Sequence, residues 1–265
     1  MSLVERNSKD LIDPKTYRWK VLIYALPGTG KTEWVGTVPN VGIAACETGH
    51  GKGILTIASK GVRYVEPSSI QEFTAFCQGE VFKDCEALAI DSLSDMTKTF
   101  IKDHALSFVR KTGNTMKRAS GVPEMDDYGV MGEVTRRLVR RLTEIDKHII
   151  VTSTLRLPRD ADPEEGKDAQ PAGPDLPGQM FLGSTAMFDT VMFLRTRNVL
   201  RDPKDAKSIY TQRYFITQTS EKAIAKARQT IDGRPLLDKE EVFDLEKGIG
   251  TFPHLLGKIL KGYGG

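Results

Sequence analysis

The 265-residue sequence predicts an α/β fold, a mostly parallel central sheet flanked by helices and finished by a C-terminal antiparallel β-hairpin. Short apolar runs alternate with helical stretches through the first half, the pattern of strands and helices in sequence order. The β-branched run His148–Thr154 has the character of a central strand. Val191–Arg197 and Tyr210–Thr217 form two strand-like segments around a polar loop at Asp202.

In chain order, Lys20–Ala25 is a short buried strand running into a Gly-rich turn, and a helix follows over 31–37. Val41–Cys46, Val62–Val65 and Ala87–Ile90 are further strands, with Ile70–Cys77 helical before the last. From Leu93, apolar residues at Met96, Phe100, Ile101 and Phe108 keep helical spacing, and Val130, Val134, Leu138, Leu142 and Ile145 do so again. Two polar stretches, 111–127 and 156–184, interrupt this pattern as long irregular loops. Strand-forming sequence resumes after both, so they lie inside one domain, 19–265, preceded by an extension over 1–18. Near the end, Thr251-Phe-Pro begins a helix.

Apolar residues make up 39 % of the chain and charged residues 28 %, the balance of a globular protein rather than a disordered one. Lys plus Arg (38) exceeds Asp plus Glu (35) by only 3, so no nucleic-acid partner follows from net charge. The three cysteines, Cys46, Cys77 and Cys85, have no metal-ligand spacing and suit a reducing compartment. With no apolar leader and no run long enough to span a bilayer, a cytoplasmic location without membrane contact is expected.

The chemistry begins at Ala25-Leu-Pro-Gly-Thr-Gly-Lys-Thr32, which has P-loop spacing with Ala in the first glycine position and lies between a strand and a helix. The segment Pro27, Gly28, Thr29, Gly30, Lys31, Thr32 and Glu33 is expected to bind ATP. Gly28 and Gly30 admit a phosphate to the backbone amides, Lys31 reaches the β- and γ-phosphates, and the Thr32 hydroxyl ligates Mg²⁺. Ala-Leu-Ala-Ile-Asp91 supplies a carboxylate at a strand end, so Asp91 is the second metal-side residue, with N-capping of the next helix by Asp91 or Ser92 as the alternative. Since Ser92 follows Asp91, the group that orients the attacking water must come from elsewhere. Glu47, at the end of a neighbouring parallel strand, fits that position.

On these segments the chain resembles the RecA-like P-loop ATPases, and within them phage-encoded ATP-binding proteins similar to single-strand annealing proteins. The likeness covers about residues 18–230: IYALPGTGKT, the strand ending at Glu47, AIDSLSD, the helix ending RRLTEIDKH, the strand IIVTSTLR, and a long loop leading to a hairpin. It implies an ATPase in which Glu47 activates water and Thr154 senses the γ-phosphate, where such proteins carry a longer Gln or His. It also implies that Lys226 and Arg228 act across a subunit interface, with Lys222 competing, and hence self-association into a ring or filament.

The same resemblance implies single-stranded DNA as a partner, annealing or recombination as the activity and a single-strand binding protein as a further partner. It puts the two irregular loops at DNA-binding positions: Lys111, Lys117 and Arg118 in the first; Arg156, Arg159 and Phe181 in the second, where Phe181 either stacks on a base or packs the returning loop. The acidic tip of the second loop disfavours DNA and favours the alternative, a nucleotide-switched helicase-loading or packaging accessory. Arg136, Arg137, Arg140 and Arg141 form a solvated or subunit-contacting face. Tyr17 and Trp19 pack either in the core or beside an adenine.

Overall fold

The computed structural model describes residues 13, 15–47, 53–107, 122–161, 169–176, 180–201, 205, 207–231 and 233–263. The strands are β1 (Lys20–Ala25), β2 (Val41–Ala45), β3 (Arg63–Val65), β4 (Ala87–Asp91), β5 (His148–Arg156), β6 (Gly173–Pro174), β7 (Thr190–Leu200), β8 (Ile209–Ile216), β9 (Lys226–Ala227), β10 (Thr230–Ile231), β11 (Arg234–Pro235) and β12 (Glu240–Phe243). The helices are α1 (Lys31–Val35), α2 (Ile70–Cys77), α3 (Leu93–Met96), α4 (Lys102–Ser107), α5 (Met125–Thr143), α6 (Met180–Ala186) and α7 (Phe252–Gly262). A 3-10 turn covers Ile54–Lys60, and a π turn, Thr97–Ile101, joins α3 to α4.

The main sheet runs β12-β8-β7-β1-β5-β4-β2-β3. Every pair from β7 through β3 is parallel, and β8 and β12 add an antiparallel edge. The expected α/β fold and terminal hairpin are therefore present. Strand β5 lies between β1 and β4, so the P-loop strand and the Asp91 strand are next-nearest neighbours.

Side chains alternate across β1 and build a core on each face. Leu22 and Tyr24 pack with Phe73, Phe76, Met96, Leu138 and Leu142 from α2, α3 and α5. Val21, Ile23 and Ala25 pack on the other face with Trp34 of α1 and with Phe252, Leu255 and Ile259 of α7. Local signals set the helix starts. The Ser69 hydroxyl accepts from the Glu72 amide to begin α2, and Glu124 with Asp127 forms a capping box at α5. Trp19 is a core residue, with its indole N–H on Thr190 at 2.7 Å and its ring against Trp34 and Phe252. The Tyr17 hydroxyl accepts from Gln229 at 2.9 Å, and its ring meets Tyr263 edge-on.

Several elements depart from the sequence pattern. The segment after β5 is partly regular: it returns through an Arg159–Gln170 bridge and β6, both antiparallel to the strand just left, and then forms α6. Backbone pairing supplies this order, which composition does not report. The helix expected from Leu93 is interrupted at Thr99, whose φ/ψ of −110°/−108° is not helical. Helix α5 starts at Met125, inside the first polar stretch.

Candidate nucleotide site

The site lies at the carboxyl ends of β1, β2, β4 and β5, where parallel strands direct the loops that follow them into one crevice. Between β1 and α1 the chain turns through Gly28 and Gly30, at φ +75° and +103°, a region costly for residues with a Cβ. Above Gly30 lies Arg213, a guanidinium nitrogen of which would stand 2.7 Å from a Cβ at that position. Among the described residues no backbone amide of Gly28 or of Gly30 to Glu33 donates to a backbone carbonyl. A row of unpaired N–H groups on a turn without side chains suits the oxygens of a phosphate.

Lys31 is buried, and its ammonium donates to the Ala25 and Leu26 carbonyls at 3.3 and 3.2 Å. Burial lowers its pKa, while Asp91, Glu47 and Asp95 act in the opposite direction. The Thr32 hydroxyl donates to Asp91 Oδ2 at 2.6 Å, so the two expected metal-side groups touch. Asp91 itself is buried and accepts at Oδ1 from the Thr152 hydroxyl. Ser92, not Asp91, caps α3, its Oγ accepting from the Asp95 amide and donating to the Asp95 carboxylate. Asp91 therefore keeps its carboxylate on the Thr32 side. Hard oxygen donors of this kind suit Mg²⁺.

Glu47 stands two residues past β2 and accepts from the Gly53 amide. Burial, then the charges of Asp91 and Asp95, raise its pKa, whereas Lys31 lowers it. A carboxylate in such surroundings is a stronger proton acceptor than one in water.

Thr154 is level with Ala25 across β1 and β5, and its hydroxyl meets Asp175 at 3.3 Å, where Lys98 also donates. Lys226 and Arg228 lie by the start of β7, at the opposite end of the sheet. Lys226 donates to the Thr185 carbonyl at 2.5 Å and Arg228 to the Ala186 carbonyl at 2.7 Å, both at the end of α6. Lys111, Lys117 and Arg118 lie outside the described residues, as does the Phe181 side chain. Arg156 approaches the Pro171 carbonyl at 3.5 Å, and Arg159 bridges to Gln170. The four arginines of α5 are exposed, three of them tied to Glu133 or Glu144.

Three residues of the site escape a motif reading. Asp95 is one helical turn beyond Asp91, a spacing that would have flagged it. Thr152 is adjacent to Asp91 in the β4–β5 register, which only the pairing reveals. Arg213 comes from β8, ion-paired with Glu33 and lying over Gly30. No sequence signal connects it to the P-loop.

Fold and site together define a P-loop ATPase. The chain matches the AAA domain family over residues 17–229, and it belongs to that family. It is similar to two solved structures: a KaiC-like protein from Pyrococcus horikoshii, with TM-score 0.43, 15 % identity and 84 % of each chain covered, and the flagellar accessory protein FlaH from Methanocaldococcus jannaschii, with TM-score 0.38, 12 % identity, 90 % of this chain and 92 % of that one covered. No curated protein matches it. No helix among the described residues is long and apolar enough to cross a membrane.

Proposed function

We propose that this chain is an ATPase that binds single-stranded DNA and promotes annealing or recombination in phage DNA metabolism, working as a ring or filament of self-associated copies. The convergence of Lys31, Thr32 and Asp91, with Glu47 beside them, carries the ATPase part of this reading, and the DNA and assembly parts extend the resemblance of the sequence. Thr32 and Asp91 would hold Mg²⁺, which neutralises charge on the β- and γ-phosphates when bound. Lys31 has only backbone carbonyls to leave, so its ammonium can turn to the γ-phosphate. Glu47 orients a water and takes its proton as the water oxygen bonds to the γ-phosphorus; the bond to the β-γ bridging oxygen breaks, and ADP and phosphate leave.

Lys226 and Arg228 support assembly. From the start of β7 they are about 10 Å or more along the strands from their own P-loop, so any charge they bring to a γ-phosphate belongs to a neighbour's site. The test is an ATPase assay with and without single-stranded DNA on wild type and Lys31→Ala. Magnesium-dependent turnover stimulated by DNA, and lost in the variant, is expected. Wild-type turnover in Lys31→Ala overturns the site, and turnover indifferent to DNA favours the nucleotide-switched accessory instead.

A further inference from the structure

We infer that single-stranded DNA binds the arginine–aromatic face of the β7–β8 ribbon, an inference that rests on the reading of this ATPase as a DNA-binding protein. Strand β7 pairs with β1 only as far as Phe193, and β12 pairs with β8 only as far as Arg213, opposite Thr196. Beyond those points Arg197–Leu200 pairs with Ile209–Gln212 alone. A two-stranded ribbon therefore projects past the sheet, and it does so at the P-loop end because β7 runs parallel to β1.

Alternation gives this ribbon a chemically distinct face. Phe193, Arg195 and Arg197 share one side of β7, with Arg201 directly past its end, and the register puts Tyr214 and Tyr210 on the same side of β8. Each guanidinium lies over a ring: Arg195 over Phe193 at 5.5 Å, Arg197 over Tyr214 at 4.5 Å and Arg201 over Tyr210 at 5.4 Å. All three arginines are exposed. Among the described residues Arg195 and Arg201 form no ion pair, while Arg197 donates to Gln212 and Glu240.

A guanidinium over a ring keeps its charge and its N–H donors for a phosphate. Strand geometry spaces Arg195 and Arg197 by about 7 Å and Arg195 and Arg201 by about 20 Å, a track several nucleotides long. The α5 arginines differ in being largely committed to Glu133 and Glu144. Phe193 and Tyr214 are buried and Tyr210 half-buried, so the rings seat the guanidinium groups, and the track meets a strand through its phosphates, the sequence-independent part of single-strand binding. The ribbon also reaches the nucleotide site, because β8 carries Arg213 onto Gly30.

The experiment measures anisotropy of a fluorescent oligothymidylate across a salt series for wild type, Arg195→Ala/Arg197→Ala/Arg201→Ala, and Lys111→Ala/Lys117→Ala/Arg118→Ala. Circular dichroism checks folding, and a fluorescent ATP analogue reports the nucleotide site. The ribbon variant should bind DNA at least tenfold more weakly, with its log–log salt slope shallower by about 2, since each phosphate contact contributes about 0.7 on a single strand. Its basal ATPase should persist while DNA stimulation disappears. Conservative Arg→Lys replacement at the same three positions should restore most of the salt slope. Unchanged DNA binding in a folded ribbon variant, or loss confined to the loop variant, overturns the assignment. A change of oligomer mass without a change in DNA binding overturns it too, and marks the ribbon as a subunit contact. Failure of wild type to bind any oligonucleotide removes the DNA reading as well, leaving ATP-analogue binding as the separate measure of the P-loop.

Discussion

Two lysines, half-buried Lys20 and buried Lys31, bracket β1, and their surroundings differ in a way that separates structure from chemistry. Lys20, at the strand's start, donates to the Ile145 and Lys147 carbonyls, both at 2.6 Å, while its backbone amide donates to Asp189. Lys31, just past the strand's end, makes contacts of 3.2–3.3 Å with two carbonyls and feels three carboxylates. Burial lowers both pKa values, that of Lys20 to about 8. A depressed lysine is thus no evidence of function here. What distinguishes Lys31 is a loose set of acceptors beside unpaired amides and an acidic cluster, whereas Lys20 is held fast where α5 meets β5.

The sharpest way to break this contrast is at the acidic cluster. Glu47→Gln should lower turnover by about 10²- to 10⁴-fold, the usual contribution of a proton acceptor, while leaving nucleotide affinity intact. Single-turnover and binding assays together would expose a merely structural Glu47 as one whose loss weakens both or neither. Next, Lys20→Met should cost about 2–3 kcal/mol by stranding two carbonyls. Lys31→Met should be within about 0.5 kcal/mol of wild type, or more stable, because it removes a loosely paired buried charge. Thermal midpoints measure this, and only the Lys31 variant should lose the upward shift produced by ATP. Equal destabilisation of both variants would dissolve the distinction.

The smallest expected effect concerns pH at the structural end. Burial, with Arg18 and Lys20 nearby, lowers the pKa of His148 to about 4. Its Nδ1 accepts from the Trp19 amide at 3.0 Å and cannot do so when protonated. The unfolded chain takes up this proton near pH 6.5 and the folded chain only near 4, so stability is complete above 6.5 and declines as pH falls between them. Partial exposure limits the loss to about 2 kcal/mol. His148→Gln should flatten that part of the stability profile, and an unaltered slope would assign the acid sensitivity to other groups.

Lys20–Ala25, Ile70–Cys77 and the β7–β8 pair were legible because period and punctuation are local properties. The P-loop and Asp91 were legible for the same reason, since phosphate binding needs glycines, a lysine and a hydroxyl at consecutive positions. Thr152 on Asp91 and Arg213 over Gly30 were not, because strand register and sheet order bring them together across long stretches of chain. The order after β5 was hidden as well, since backbone pairing supports it without apolar periodicity.

From residue order alone came the α/β class, the phosphate turn and the carboxylate strand, all of which are written in short-range spacing. Tertiary structure alone decided which hydroxyl meets Asp91, which lysine is merely structural and which arginines lie over aromatic rings on a projecting ribbon. Those outcomes depend on distances between segments far apart in the chain, and packing sets such distances.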